Sequence, residues 1–209
     1  MNAAKRREIF RRLQAANPAP TTELEFASPF ELLVAVVLSA QATDVSVNKA
    51  TRRLFVLAPT PQAMVALGVE RVTELIRTIG LFRTKARNLV ETCRLLVQRH
   101  GGEVPRTMDE LTKLAGVGRK TANVVLGNAF GMNEGIVVDT HVQRLSRRLG
   151  FTCEKTPEKI EQDLMKLVPR EDWALLSHWL IWHGRRRCPA RKPDCAGCEI
   201  AALCPKTGV

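Results

Sequence analysis

The sequence predicts an all-α protein, and three observations carry that expectation. Apolar residues recur at i, i+3 and i+4 along most of the chain, while sustained period-two alternation is scarce. Helix openings are written out as capping boxes at Ser28-Pro29-Phe30-Glu31 and at Thr107 with Glu110. A chain of 209 residues with a hydrophobic fraction of 45% can bury a sizeable core, as one large or two small domains.

The first segment, MNAAKRREIFRRLQ, reads as a short basic amphipathic helix with Ile9 and Leu13 turned inward. It lacks the apolar centre of a secretory signal. No apolar run approaches the roughly 20 residues of a membrane span. The net charge of +11 and pI of about 9.9 predict attraction to a polyanion, with nucleic acid the first candidate. Charge alone would also suit a ribosomal or anionic-membrane partner.

After the Ser28 box, Leu32 to Leu38 is apolar on every side, the pattern of a buried central helix. It ends at Ser39 to Asp44, where Thr43 is placed to cap the next helix. Gln41 then lies in a loop at the exposed end of a buried helix. Cys93 falls within a later helical pattern and Cys153 after a helix end, both more in keeping with packing than with chemistry.

The stretch from Leu111 to Asp139 reads as two helices flanking a short hairpin, Gly116-Val117-Gly118. Leu111 and Leu114 give the first helix its apolar face. The second starts at Arg119 and turns Ala122, Val125 and Leu126 inward. The two glycines can take backbone angles closed to other residues and put no side chain between backbone and ligand. Their amides, with the first free N–H groups of the second helix, form a nest for an anion. This is the pattern of a helix-hairpin-helix, a sequence-independent grip on nucleic-acid phosphate. Lys120 sits in the first turn of the second helix, where the helix dipole disfavours a cation by about 0.3–1 kcal/mol. A nucleophilic amine can use that penalty. Asp139 follows a strand-like run, Ile136 to Val138, and is placed to cap the helix beyond it. His141, two residues on, is placed for a local hydrogen bond.

A second copy of this pattern lies 36 positions earlier, with Gly80-Leu81-Phe82-Arg83 aligned on Gly116-Val117-Gly118-Arg119. Leu75 falls on Leu111, Ala86 on Ala122, Leu89 on Val125, and Thr84 stands where Lys120 stands. With Phe82 in place of the second glycine, this copy is a poorer phosphate nest. Its apolar tip suggests a wedge between base steps, although Leu81 and Phe82 packed inward is an equal alternative.

Beyond Asp139, Thr156-Pro157-Glu158 opens a helix expected to reach Val168, and Trp173 to His183 forms another, expected to end at Gly184. His178 and His183 read as structural histidines. Cys188, Cys195, Cys198 and Cys204 form a C-x6-C-x2-C-x5-C array within 17 residues. The six cysteines lack an export signal, which argues against a disulfide framework. Four thiolates in one place mean zinc or an iron–sulfur cluster. Only one pair is tightly spaced, which leans toward a cluster. Arg191 and Lys192 between the first two cysteines, after Arg185 to Arg187, look like a second phosphate clamp.

Together, LAGVGRKTA, VDTH, LSAQATD and the cysteine array resemble the bacterial endonuclease III family of DNA glycosylases and abasic-site lyases, over Lys5 to Cys204. The resemblance implies Lys120 as the Schiff-base lysine, Asp139 as the catalytic carboxylate and a [4Fe–4S] cluster on Cys188, Cys195, Cys198 and Cys204. Gln41 and Leu81 match positions that fill the gap left by a flipped nucleotide. Phe82, Gly116, Val117, Gly118, Arg119, His141, Arg191 and Lys192 join them as expected DNA contacts.

The resemblance also implies two helical domains with a cleft between them. One is a six-helix domain over residues 21–132, carrying the helix-hairpin-helix. The other is discontinuous, residues 1–20 with 133–209, and carries the cluster loop. The expected partner is double-stranded DNA with damaged bases or abasic sites. The chain is expected to be a cytoplasmic, nucleoid-associated monomer with no membrane attachment. Two departures stand out: Ala115, where the family hairpin commonly has proline, and the Phe82-Arg83 tip. An adenine-mismatch glycosylase is the nearest rival. It needs a carboxylic acid that Leu32 to Leu38 does not offer, and Lys120 is superfluous to it. A non-catalytic DNA-binding scaffold leaves Lys120 and Asp139 unexplained.

Overall fold

The computed structural model describes residues 1–209, and its regular elements are all helical. The chain divides into two compact units, Thr22–Met132 and a second made of Met1–Thr21 with Asn133–Val209. No helix is long and apolar enough to cross a membrane.

Helix α1, Ala3–Ala16, is capped by Asn2 and buries Ile9 and Leu13, as its amphipathic pattern predicts. It belongs to the discontinuous unit and contributes to that unit's core. The Thr22–Met132 unit follows with six helices: α2 (Pro29–Ser39), α3 (Asp44–Leu57), α4 (Pro61–Leu75), α5 (Phe82–His100), α6 (Met108–Thr112) and α7 (Arg119–Phe130). Helix α2 is the centre of this unit, with every residue from Leu32 to Leu38 buried. Ser28 Oγ caps it by accepting from the Glu31 amide at 3.1 Å, and the Glu31 carboxylate reaches one residue beyond the cap to accept from the Ala27 amide at 2.6 Å, a variant of the expected capping box. Thr43, Thr60 and Thr107 cap α3, α4 and α6 in the same way. Helix α4 is kinked at Gly68, whose φ of 78° breaks the helical path.

The discontinuous unit continues with α8 (Thr140–Arg148), α9 (Pro157–Met165) and α10 (Trp173–Arg186), preceded by a 3-10 turn at Arg170–Asp172. Three expectations are corrected here. Ile136 to Val138 forms no strand; it is a buried segment tied down where Ser177 Oγ accepts from the Val137 amide at 2.9 Å. Helix α9 stops at Met165, short of Val168. Helix α10 runs through Gly184 to Arg186. Gly184 is a packing residue: a Cβ there would lie 2.6 Å from Leu145 Cδ1, so its missing side chain lets α8 approach α10. Arg144 of α8 fixes that approach by donating to the Gly184 carbonyl at 2.8 Å.

Candidate functional site

In the Thr22–Met132 unit the candidate residues lie on two hairpins and one loop. Gly116, Val117 and Gly118 join α6 to α7, and Arg119 and Lys120 are the first two residues of α7, both exposed. Only Gly116 takes the left-handed conformation, with φ 77°. A Cβ there would also sit 2.9 Å from Asn88 Nδ2. Gly118, expected to need glycine's freedom too, has φ −95°, which other residues adopt. Its glycine has a different consequence: a Cβ would meet nothing, so the approach to the α7 N-terminus is open. Val117 is buried and pins the hairpin to the core. The N-cap of α7, Gly118, offers no side-chain cap to the helix N-terminus, the end of a helix that favours an anion.

The second hairpin joins α4 to α5. Leu81 is its left-handed residue, φ 60° and ψ 26°, and is 62% exposed. Such a backbone costs a residue with a Cβ about 1–2 kcal/mol. Phe82, by contrast, is half-buried against the core, with the Arg83 guanidinium 4.9 Å from its ring centre. The two residues of the tip therefore divide: Leu81 projects and Phe82 anchors. Gln41 is also left-handed, φ 54°, and exposed. A Cβ on Gly80 would be 3.6 Å from the Gln41 carbonyl oxygen, so the Gln41 loop and the Leu81 tip abut.

One face of α5 organises these pieces, and the sequence reading missed it. Lys85, 6% exposed, donates to the Leu38 and Ala40 carbonyls at 2.9 and 2.5 Å. Asn88 lies against Gly116. Thr92 Oγ1 donates to the Ala115 carbonyl at 2.8 Å, so the hairpin entry, where the family commonly has proline, is tied to α5. The available signal was the lysine itself, next to Ala86 on a stripe that continues through Leu89, Val90 and Cys93. A cation on an inward face needs acceptors.

In the discontinuous unit, Asp139 caps α8: its Oδ1 accepts from the His141 and Val142 amides, both at 2.8 Å. The carboxylate is fixed and only part-buried. His141 makes the expected local contact through its amide, and its Nδ1 faces Arg144 Nη2 at 3.1 Å. A guanidinium only donates, so Nδ1 is the acceptor in this contact. Arg191 and Lys192 are exposed on the loop between the first two cysteines, with Lys192 at φ 52°.

Cys188, Cys195, Cys198 and Cys204 are free thiols lining one pocket with Leu145, Ile200 and Arg148. N–H groups point at their sulfurs: Arg148 Nη1 donates to Cys188 Sγ at 3.1 Å and the Lys206 amide to Cys204 Sγ at 3.3 Å. Burial, with the other cysteines adding to it, pushes the Cys198 and Cys204 thiols up from their ordinary value. Four thiolates in this pocket therefore call for a cationic group, and the N–H donors suit sulfur ligated to metal. The four thiols line one pocket, and four cysteine sulfurs in one place are a metal-binding donor set. This donor set fits an iron–sulfur cluster. His183 stands beside it, with Nδ1 2.9 Å from Glu199 Oε1 and Nε2 3.7 Å from Cys198 Sγ. Cys93, in the other unit, is a core residue whose thiol burial pushes up to about 12.

Residues 34–170 match the family model of the HhH-GPD superfamily base excision DNA repair proteins. The chain is 57% identical to endonuclease III of Escherichia coli strain K12 over 204 residues, 98% of this chain and 96% of that protein. It is 55% identical to endonuclease III of Haemophilus influenzae over the same shares of each chain. Its fold superposes with a TM-score of 0.93 on a trapped endonuclease III–DNA covalent intermediate, at 45% identity, covering 99% of this chain and 97% of that one. The chain belongs to the endonuclease III family of the HhH-GPD superfamily, base excision repair enzymes with DNA glycosylase and abasic-site lyase activity.

Proposed function

We propose that Lys120 is the nucleophile of a bifunctional enzyme that removes damaged bases, oxidised pyrimidines foremost, and then cuts the strand 3′ to the abasic site. The observation that carries this reading is the exposed lysine in the first turn of an uncapped helix, directly after an unobstructed glycine hairpin. The hairpin amides hold a backbone phosphate, and the neighbouring amine reaches the sugar of that strand. A base inside a duplex is out of reach, so the nucleotide must leave the stack, at a cost of a few kcal/mol. Leu81 and Gln41 fill the space it leaves.

Lys120 Nζ then bonds to C1′, and the C1′–N bond breaks with its electron pair going to the base. Asp139 takes up the proton released from the amine or stabilises the cationic sugar. Ring opening gives a protonated imine, which acidifies the C2′ hydrogen. Loss of that proton forms the C2′–C3′ double bond as the C3′–O bond breaks, expelling the 3′ phosphate. Cys188, Cys195, Cys198 and Cys204 would hold a [4Fe–4S] cluster, and the loop they would tether carries Arg191 and Lys192 as a second phosphate clamp. Arg119, Val117 and His141 complete the DNA contacts. The enzyme acts as a monomer on nucleoid DNA in the cytoplasm.

Strand nicking of abasic DNA in the presence of a chelator tests this reading, since a metal-dependent nuclease would stop and a lysine lyase would not. Asp139→Asn keeps the cap and should preserve the fold while turnover falls by orders of magnitude. A residue serving only as a cap would lose little with asparagine. Stoichiometric zinc with neither iron nor sulfide in anaerobically purified protein would rule out the cluster.

A further inference from the structure

Lys85 is an internal cation with a specific address. It stands one turn into α5, beneath Leu81, and its ammonium reaches the Leu38 and Ala40 carbonyls at the C-terminal end of α2. Those carbonyls belong to the last turn of a helix and have no amide ahead of them in the helix. A cation there also complements the negative end of the helix dipole. Burial pushes the Lys85 pKa down from its ordinary value. The side chain is thus kept inside by these two acceptors, against the usual preference of a lysine for water.

Ala40 immediately precedes Gln41, and Leu81, the residue that precedes α5, lies one turn before Lys85. The bond from Lys85 to the Ala40 carbonyl therefore bridges the two exposed tips from below. Both tips hold non-glycine residues in the left-handed region, Gln41 at φ 54° and Leu81 at φ 60°. Two strained turns that must present side chains at a set separation need a common support. The loops themselves abut where a Cβ on Gly80 would lie 3.6 Å from the Gln41 carbonyl oxygen.

We propose that Lys85 is a positioning residue: it locks the Gln41 loop to the Leu81 tip so that the pair enters the duplex as one rigid element. This rests on the reading of Gln41 and Leu81 as the residues that fill the gap of a flipped nucleotide. Lys85 itself touches no DNA. Its effect is confined to the step in which a paired base leaves the stack, and it does not touch the chemistry at Lys120.

The test is a double-mutant cycle on the cluster-loaded protein, with Lys85→Met, Gln41→Ala and the pair. Single-turnover base release is measured from a duplex carrying an oxidised pyrimidine, and strand cleavage from a single-stranded abasic oligonucleotide. Lys85→Met should lower duplex base release by about 10- to 100-fold, the cost of misplacing a positioned group. Cleavage of the single strand should stay within about twofold, because no stack has to be opened. Lys85→Gln, which keeps one donor group, should recover part of the duplex loss. In the Gln41→Ala background most of the Lys85→Met loss should disappear, as expected of residues that act together.

Equal losses on both substrates, or full additivity with Gln41→Ala, would overturn the proposal. So would unfolding of both Lys85 variants in thermal melts, which would make the lysine a support of the whole unit. A wild-type protein that neither nicks an abasic duplex in the presence of a chelator nor gives a borohydride adduct with it fails the proposed lyase function itself, and that failure is visible before any Lys85 variant is compared.

Discussion

The turn between α4 and α5 and the turn between α6 and α7 align without a gap, Gly80 on Gly116 and Leu81 on Val117, yet their left-handed residues differ. In the first it is Leu81, in the second Gly116. That shift of one position decides what each hairpin shows to its surroundings. In the first, α5 begins at Phe82, so Leu81 is thrown outward and the phenylalanine closes the turn against the core. In the second, α7 begins one aligned position later, at Arg119; Val117 turns inward and Gly118 leaves open space. Neither α5 nor α7 has a side-chain cap, whereas α2, α3, α4 and α6 all do. One hairpin thus offers a side chain and the other offers backbone amides. In the reading proposed above, the same scaffold serves as a wedge or as an anion grip, depending on where the left-handed residue falls.

The contrast breaks first at the lysine. Lys120→Gln should remove strand cleavage by several orders of magnitude in single-turnover assays while DNA binding persists. Thr84→Ala, at the aligned position of the other hairpin, should leave the rate within about twofold. Comparable losses from both would mean that the two hairpins are not specialised.

Next in size are the aligned glycines. Gly116→Ala should cost about 1–2 kcal/mol for the left-handed backbone, with a further cost for displacing Asn88, seen as a lower midpoint in chemical denaturation. Gly80→Ala meets only an ordinary contact and has no positive φ, so it should change stability by about 0.5 kcal/mol or less. The reverse order would contradict the assignment of the left-handed positions.

The smallest and most selective effect belongs to the wedge. Leu81→Ala should slow excision of a paired damaged base by roughly tenfold and affect abasic sites less, since those flip at little cost. Equal slowing on both substrates would remove Leu81 from base extrusion.

Much of this was legible in the residues because it depends on local chemistry. Ser28, Thr43, Thr107 and Asp139 cap as their side chains dictate, and the all-apolar run Leu32 to Leu38 is fully buried. The 36-residue repeat revealed both hairpins, from Gly80 to Gly116. What escaped was set by partners distant in sequence. Nothing local to Lys85 says that its acceptors are 45 and 47 residues away. Gly184 reads as a helix stop until Leu145 is seen packed where its Cβ would be. Ile136 to Val138 has strand composition but no neighbouring strand to pair with, so burial and the Ser177 bond hold it instead. Gly118 reads like Gly116, and only the backbone angles separate strain at one from open space at the other.

The central claim is that Lys120 forms a covalent imine with the DNA sugar, and borohydride trapping tests it most directly. An imine is reduced to a stable amine, so protein mixed with abasic duplex and borohydride should yield a cross-linked species. Peptide mapping should place the link at Lys120, and Lys120→Gln should abolish it. No adduct from protein that carries its full complement of iron and sulfide, or an adduct mapped to another residue, would contradict the account.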